Sequence, residues 1–325
     1  MTTNRAPDRR CSYVVRVGNA ATSFDELRDL AAYLSALGVA GCDVVILDPS
    51  PRLQFDINGR VLRWVGRHVA MWSRVDLVQA ASMIADCEKV IVAADEVRYT
   101  PEAIAQLCDL LDAHEVVEPQ DYLDPMPWWG GIEAGRILVH RGIEPQPDHG
   151  ATFGFRRSAL SSLRTLGSAS SADMHSRLLA AMGAEVYSAN DVFVRRQPGA
   201  LGEWLESRAR LAGDDFALPM KTAFFFSLVP LLVLLATLGG LKLAGGYASM
   251  IAFASVALAL RGRSGAATFF PLRACLLAPV WVFERSMSVY WALFRKLRGV
   301  DVDVSHVHVP DPASGTNVGR ASARR

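Results

Sequence analysis

The chain is short of net charge: 34 Lys and Arg residues face 33 Asp and Glu, leaving a formal +1. Proteins that hold nucleic acid by its phosphates carry a one-signed excess, so no such global field exists here and nucleic acid is not an expected partner. Cysteine is scarce as well. Cys11, Cys42, Cys87, Cys108 and Cys275 are scattered, odd in number and without metal-ligand spacing. Neither a disulfide framework nor a zinc site is indicated, and a reducing compartment fits. The opening MTTNRAPDRR has charge with no apolar run behind it, so no secretory signal peptide is expected and the first domain is expected in the cytosol.

Charge is also missing locally. Residues 222–241 (TAFFFSLVPLLVLLATLGGL) contain none, over a length sufficient to cross the hydrocarbon core of a bilayer. A second apolar run, 243–260, is closed by Arg261 and Arg263 and joined to the first through Lys242. The pair reads as a transmembrane hairpin that returns its basic end to the inside. A third apolar segment, 266–294, is interrupted by Arg273, Pro279, Glu284 and Arg285, and is expected to be interfacial or re-entrant rather than a clean span. Arg295, Lys296 and Arg298 then place its end near anionic lipid heads. These runs account for much of the 51% hydrophobic content.

The remainder alternates strand and helix. Residues 13–17 (YVVRV) read as a strand, 24–37 as a helix with Ser23 as N-cap, and 43–47 (DVVIL) as a buried strand ending on Asp48, Pro49 and Ser50. A short strand near 61–65, a helix over 75–87 and a strand from Val90 follow, then a helix over 101–111 with Pro101 in its first turn. This order predicts an α/β domain with a mostly parallel sheet covered by helices on both faces. From His114 the pattern changes, and the stretch VVEPQDYLDPMPWWGG is expected to be a loop forming a binding surface, with Gln120, Asp121, Trp128 and Trp129 as candidate contacts. A helix over 132–141, a strand at 152–157, short helices at 158–166 and 171–182, strands near 185–188 and 192–195, and an amphipathic helix at 201–211 complete the domain.

The stretch VIVAADEVRYTPEAI, residues 90–104, is where chemistry is expected. Its apolar run ends on Asp95 and Glu96 ahead of a helix, and strand-end carboxylates in that position serve ligand chemistry in α/β folds. Two hard oxygen donors suit a divalent cation, Mg²⁺ or Mn²⁺, that keeps some waters and also holds phosphates. Asp48, at the tip of the second strand, is a further candidate from the strand–helix–strand pattern.

In this order the features resemble a family 2 glycosyltransferase of the GT-A type, with membrane helices after the catalytic domain, over residues 13–298. The resemblance rests on VVRVGN, LDPS, the ADEV-P metal motif, VEPQDYLDPMPWW with GIEAGRILVHR and FGFRRSAL behind it, and WLESRARL. It implies a GT-A-like fold and transfer of a sugar, with inversion, from a nucleotide-diphosphate donor to a lipid, lipid-linked or polysaccharide acceptor. It implies Asn19, Asp48 and Ser50 in the nucleotide pocket, Asp95 and Glu96 on the metal, and the acceptor region around Gln120, Asp121, Trp128 and Trp129. Arg208 and Arg210 fall where the family carries an Arg-bearing helix beside the diphosphate; by composition alone they serve equally as anchors at a lipid interface. Where the family has its catalytic base the chain has SSADMHSRLLAAMG, and Asp173 is the nearest carboxylate. Ala20 and Ala94 replace acids of the family pattern, so a catalytically silent subunit that binds nucleotide sugar or scaffolds an active partner is the alternative. The domain plan is residues 1–10 disordered, 11–220 catalytic, 221–299 membrane hairpin and interfacial helix, and 300–325 disordered, at the plasma membrane with the catalytic part cytoplasmic.

Overall fold

A computed structural model describes residues 10–17, 24–47, 63–64, 78, 81–143, 151–159, 185–214 and 219–298. All but Arg10 of the expected disordered start at 1–10, the expected disordered tail at 300–325, the helix at 171–182 and the whole segment between the second and third strands lie outside the described residues. Strand β1 (Cys11–Arg16) is followed by α1 (Phe24–Val39) and β2 (Cys42–Leu47). Gly41, at φ 94°, makes the reversal into β2, a backbone conformation that side chains resist. Then come β3 (Arg63–Trp64), β4 (Lys89–Ala94), β5 (Val97–Arg98) and α2 (Pro101–Ala113). Thr100 caps α2, its Oγ1 accepting from the Ala103 N–H at 3.2 Å.

One sheet runs in the order β3-β2-β1-β4-β7-β6-β8-β5, where β6 is Val116–Leu123, β7 Thr152–Arg156 and β8 Val186–Arg196. Both faces are covered. Tyr13, Val15, Ile46 and Ile91 meet Leu30 and Leu34 of α1 and Leu107 and Leu111 of α2 on one side. Val14, Val45, Val90 and Val92 meet Val78, Ala81 and Ala85 on the other. Burial on both faces is why these strands are apolar without alternation.

The sheet is mixed rather than mostly parallel. Strand β1 pairs parallel with β2 and β4, and β6 with β8, but β7 lies antiparallel between β4 and β6, and β5 antiparallel to β8. A crossover returns the chain in the same direction when its helix packs on the sheet. Helix α3 (Gly130–Ile143), between β6 and β7, instead packs into the C-terminal helices. The stretch 116–123, expected as a surface loop, is a buried strand: Val116 and Val117 are fully enclosed. Pro119, which argued against a strand, sits where the β6–β8 register shifts, opposite Ala189 while Gln120 faces Phe193, a bulge being where a sheet tolerates proline. The two strands expected near 185–188 and 192–195 are the halves of β8 flanking that shift.

The second core is helical. Helix α4 (Leu201–Asp214) leads to α5 (Pro219–Gly262) and α6 (Leu272–Leu297), and these surround α3 through Ile137, Leu138, Phe225, Leu228, Phe270, Trp281 and Val289. Met220–Gly262 is the one described helix long and apolar enough to cross a membrane by length and composition. It corresponds to both expected spans and is broken at Gly240 (φ 68°, ψ −177°), two residues before Lys242. Phe225 packs on Trp281 with ring centroids 5.6 Å apart, and Trp281 meets His140 at 5.4 Å. Gly142 lies against the Leu258 carbonyl. An unbroken helix would hold Phe225 and Leu258 about 50 Å apart, so the arms fold back on each other. The third apolar segment forms one continuous helix, α6, through Pro279; Cys275, Ala278, Trp281 and Val282 face inward, and Leu272, Leu276, Val280, Met287 and Trp291 face outward.

Candidate active site

The strand order places the site. The chain leaves β1 to build β2 and β3 on one side, then returns to add β4 on the other side of β1. Open α/β sheets bind ligands outside the carboxyl ends of strands at such a reversal. Those ends are level: Arg16 is opposite both Leu47 and Ala94, and the Val17 N–H donates to the Leu47 carbonyl at 3.0 Å. The segments that leave β1 and β2 here, with Asn19, Asp48 and Ser50, lie outside the described residues, as does Asp173.

At the end of β4, Asp95 and Glu96 form the turn into β5, both half-buried. Burial pushes the Glu96 carboxyl up to about 7, against the attraction of Arg196 and with the neighbouring Asp95 charge adding to the rise. Two carboxylates crowded into one turn are a donor set that a hard cation relieves. Among the described residues no group of three or more His, Cys, Asp or Glu side chains could hold a metal ion. A cation that retains waters and takes phosphate oxygens needs only one or two carboxylates, so Asp95 and Glu96 fit Mg²⁺ or Mn²⁺ of that kind.

The turn is tied down from several sides. The Arg98 guanidinium donates to the carbonyls of Asp95 and Val97, the latter at 3.0 Å, and to Gln197 Oε1 at 3.2 Å. It lies 3.6 Å from Asp29 Oδ2 of α1 and 5.0 Å from the centre of the Tyr33 ring. The Gln197 N–H donates to the Glu96 carbonyl at 2.8 Å, and its side-chain amide to Asp29 at 3.3 Å.

Below the turn lies a buried ionic network. Arg196 Nη1 is 3.0 Å from Asp121 Oδ2. Glu133, in the first turn of α3, takes Arg136 on one oxygen and Arg208 on the other, each at 2.5 Å, and Arg208 Nη1 is 4.0 Å from Glu284 of α6. Burial alone would raise the Glu133 carboxyl, but Arg136, Arg208 and Arg196 hold it well below the usual range. Arg208 also covers Trp204 at 4.7 Å.

The sequence candidates therefore divide. Asp95 and Glu96 are together at the switch point. Gln120 and Asp121 are buried beneath it, Gln120 accepting from Arg141 at 3.3 Å and Asp121 paired with Arg196. Trp129 is buried against Trp204, ring centroids 5.4 Å apart, whereas Trp128 is 72% exposed. Arg208 is enclosed with Glu133, and Arg210 lies on the same helix. Sequence reasoning missed Arg98, Gln197, Arg196 and Glu133. An arginine two residues after an acidic turn was the available signal for Arg98, and Arg136, three residues on in the same helix, was the one for Glu133; Arg196 and Gln197 meet their partners only through long-range pairing.

No protein-family model and no curated protein sequence matches the chain. Among solved structures it is similar to a mannosyltransferase from Pyrobaculum calidifontis in complex with GDP-Man and Mn²⁺, at 17% identity and TM-score 0.49, covering 87% of each chain. It is also similar to glucosyl-3-phosphoglycerate synthase from Mycobacterium tuberculosis in complex with Mn²⁺, UDP and glucosyl-3-phosphoglycerate, at 15% identity and TM-score 0.42, covering 63% of this chain and 78% of that one. A mycobacterial protein is similar at 14% identity and TM-score 0.44, covering 63% of this chain and 73% of that one.

Proposed function

We propose that the chain is a membrane-associated glycosyltransferase of the GT-A type. It transfers a sugar from a nucleotide-diphosphate donor to a lipid, lipid-linked or polysaccharide acceptor at the cytosolic face of the plasma membrane. The observation that carries this reading is the pair Asp95 and Glu96 at the carboxyl end of β4, beside the reversal of strand order. Asp95 and Glu96 would hold Mg²⁺ or Mn²⁺, which when bound neutralises charge on the leaving diphosphate. Asn19, Asp48 and Ser50 contact the nucleotide, and Asp173 takes the proton of the acceptor hydroxyl in an inverting displacement at the anomeric carbon. Trp128 offers its exposed indole to the acceptor, with Trp129 packed behind it and Gln120 and Asp121 supporting the floor.

The apolar arms of α5 enter the bilayer as a hairpin. The outward stripe of α6 lies in its interface, and Arg298, 4.1 Å from the centre of the Phe294 ring, stands at its end. On this reading the site lies beside a lipid surface, which favours a lipid-borne acceptor.

One observation favours the second reading, a silent subunit that binds nucleotide sugar or scaffolds a partner. Arg208, expected beside the diphosphate, is engaged by Glu133. Turnover by detergent-solubilised protein with Mn²⁺ across several nucleotide sugars separates the two. The enzyme reading expects turnover that Glu96→Ala abolishes. Nucleotide binding without turnover for any donor selects the silent subunit.

A further inference from the structure

We infer that Arg98, acting with Gln197, is the positioning residue of the cation site: it clamps the Asp95–Glu96 turn by its backbone. The inference rests on the metal-dependent reading above. A two-residue turn between β4 and a two-residue strand has little pairing of its own, and adjacent carboxylates repel one another within it. The Arg98 guanidinium answers this through carbonyl oxygens, donating to Asp95 and Val97. The backbone from which the acids project is thereby fixed by a planar fork of donors that lysine cannot reproduce. Gln197 holds the third carbonyl of the turn, that of Glu96, from the link that follows β8.

The clamp has a second function in its attachment. Asp29 receives both the Arg98 charge at 3.6 Å and the Gln197 amide at 3.3 Å, and the Tyr33 ring lies under the guanidinium. The Tyr33 hydroxyl accepts from the Tyr99 N–H at 2.8 Å. Three segments that meet at the switch point are joined there: the first turns of α1, the acidic turn after β4, and the link from β8 to α4. The acids are thereby tied to α1, the helix that follows β1 in the chain. Small misplacements at such a site carry large penalties.

Charge and geometry predict opposite results, which makes the inference testable. Removing a cation near a cation site tightens metal binding if Arg98 acts only through its charge, and loosens it if Arg98 holds the turn. Mn²⁺ binding to the full chain in detergent is measured by loss of the free-ion electron paramagnetic resonance signal, alone and with added UDP or GDP. The expected result is an apparent Kd about tenfold higher for Arg98→Met, a shift equivalent to about 1.4 kcal/mol. Arg98→Lys, which keeps the charge and loses the fork, is expected to weaken binding likewise, and so is the uncharged change Gln197→Ala. Tighter or unchanged binding in Arg98→Met, with wild-type affinity in Arg98→Lys, overturns the clamp. Wild-type protein that binds Mn²⁺ no better than Glu96→Ala overturns the metal reading itself, a different outcome from failure of the clamp. Should Arg98→Met not fold, Arg98→Lys and Gln197→Ala decide the question alone.

Discussion

Arg208 of α4 and Glu133 of α3 form a buried ion pair at 2.5 Å, a contact that ties two helices of the helical core together. Each side chain is about 5% exposed, Glu133 also holds Arg136, and Glu284 of α6 stands 4.0 Å from the far side of Arg208. Removing one member of a buried ion pair weakens the compensation of the charge left behind, a change that costs about 3–5 kcal/mol. Arg208→Met is therefore expected to lower stability by about 3 kcal/mol. Glu133→Gln is expected to cost more, since it removes the charge that faces two guanidiniums, and the double variant less than the sum. Denaturant titration in detergent measures all three.

Two carboxylates give opposite pH signatures. Glu96 is raised by burial to about 7, so the folded state holds a proton that the unfolded chain, titrating at about 4.3, has released. Its contribution is best at low pH and is lost as pH rises from about 4.3 to about 7. Glu133 is lowered by its arginines, so its contribution is present above the ordinary carboxylate range and is lost as pH falls below it. Melting temperatures recorded from pH 4 to 8 are expected to fall less on the alkaline side for Glu96→Gln than for wild type. Mn²⁺ affinity is expected to decline below pH 7 as the proton competes for Glu96.

The approach of α3 to α5 and to α6 depends on glycine. A Cβ on Gly142 would strike the Leu258 carbonyl, one on Gly262 the Leu138 carbonyl, and one on Gly135 would lie 2.9 Å from the Ala274 carbonyl. Backbone atoms cannot rotate out of the way. Gly142→Ala is expected to separate the helices at a cost of at least about 2 kcal/mol. Gly246→Ala, with nothing within 4 Å of its added carbon, should be neutral or up to about 1 kcal/mol stabilising. Thermal unfolding of the two variants side by side checks the contrast.

The outward stripe of α6 reports on lipid contact without touching the core. Leu276 and Met287 are 64% and 62% exposed, so Leu276→Glu with Met287→Glu should leave the melting temperature within a few degrees. Co-flotation with vesicles containing anionic lipid is expected to drop for this variant if α6 lies in the interface. Undiminished flotation would assign the attachment to α5 alone.

Local pattern carried much of the architecture. The apolar runs that became β1, β2 and β4, the Pro-started helix α2, the acidic tip at Asp95 and Glu96 and the uncharged arms of α5 were legible because each depends on near neighbours. Period, capping and charge are properties of a few consecutive residues. What misled was equally local. Pro119 and the tryptophans of 116–129 carry the composition of a loop, yet pairing with β7 and β8 makes 116–123 a central strand.

By itself, the sequence determined that the runs of β1, β2 and β4 are strands, where a strand end carries carboxylates, and which stretch is apolar enough for a bilayer, since these follow from side-chain chemistry along the chain. Only tertiary structure decided the direction of β7, that the expected hairpin breaks at Gly240, and the partners of the buried charges. The Asp121–Arg196 pair spans 75 positions and the Glu133–Arg208 pair another 75, separations over which no periodicity reports. The clamp on the acidic turn arose in the same way, from Asp29, Arg98 and Gln197 meeting where three segments end together.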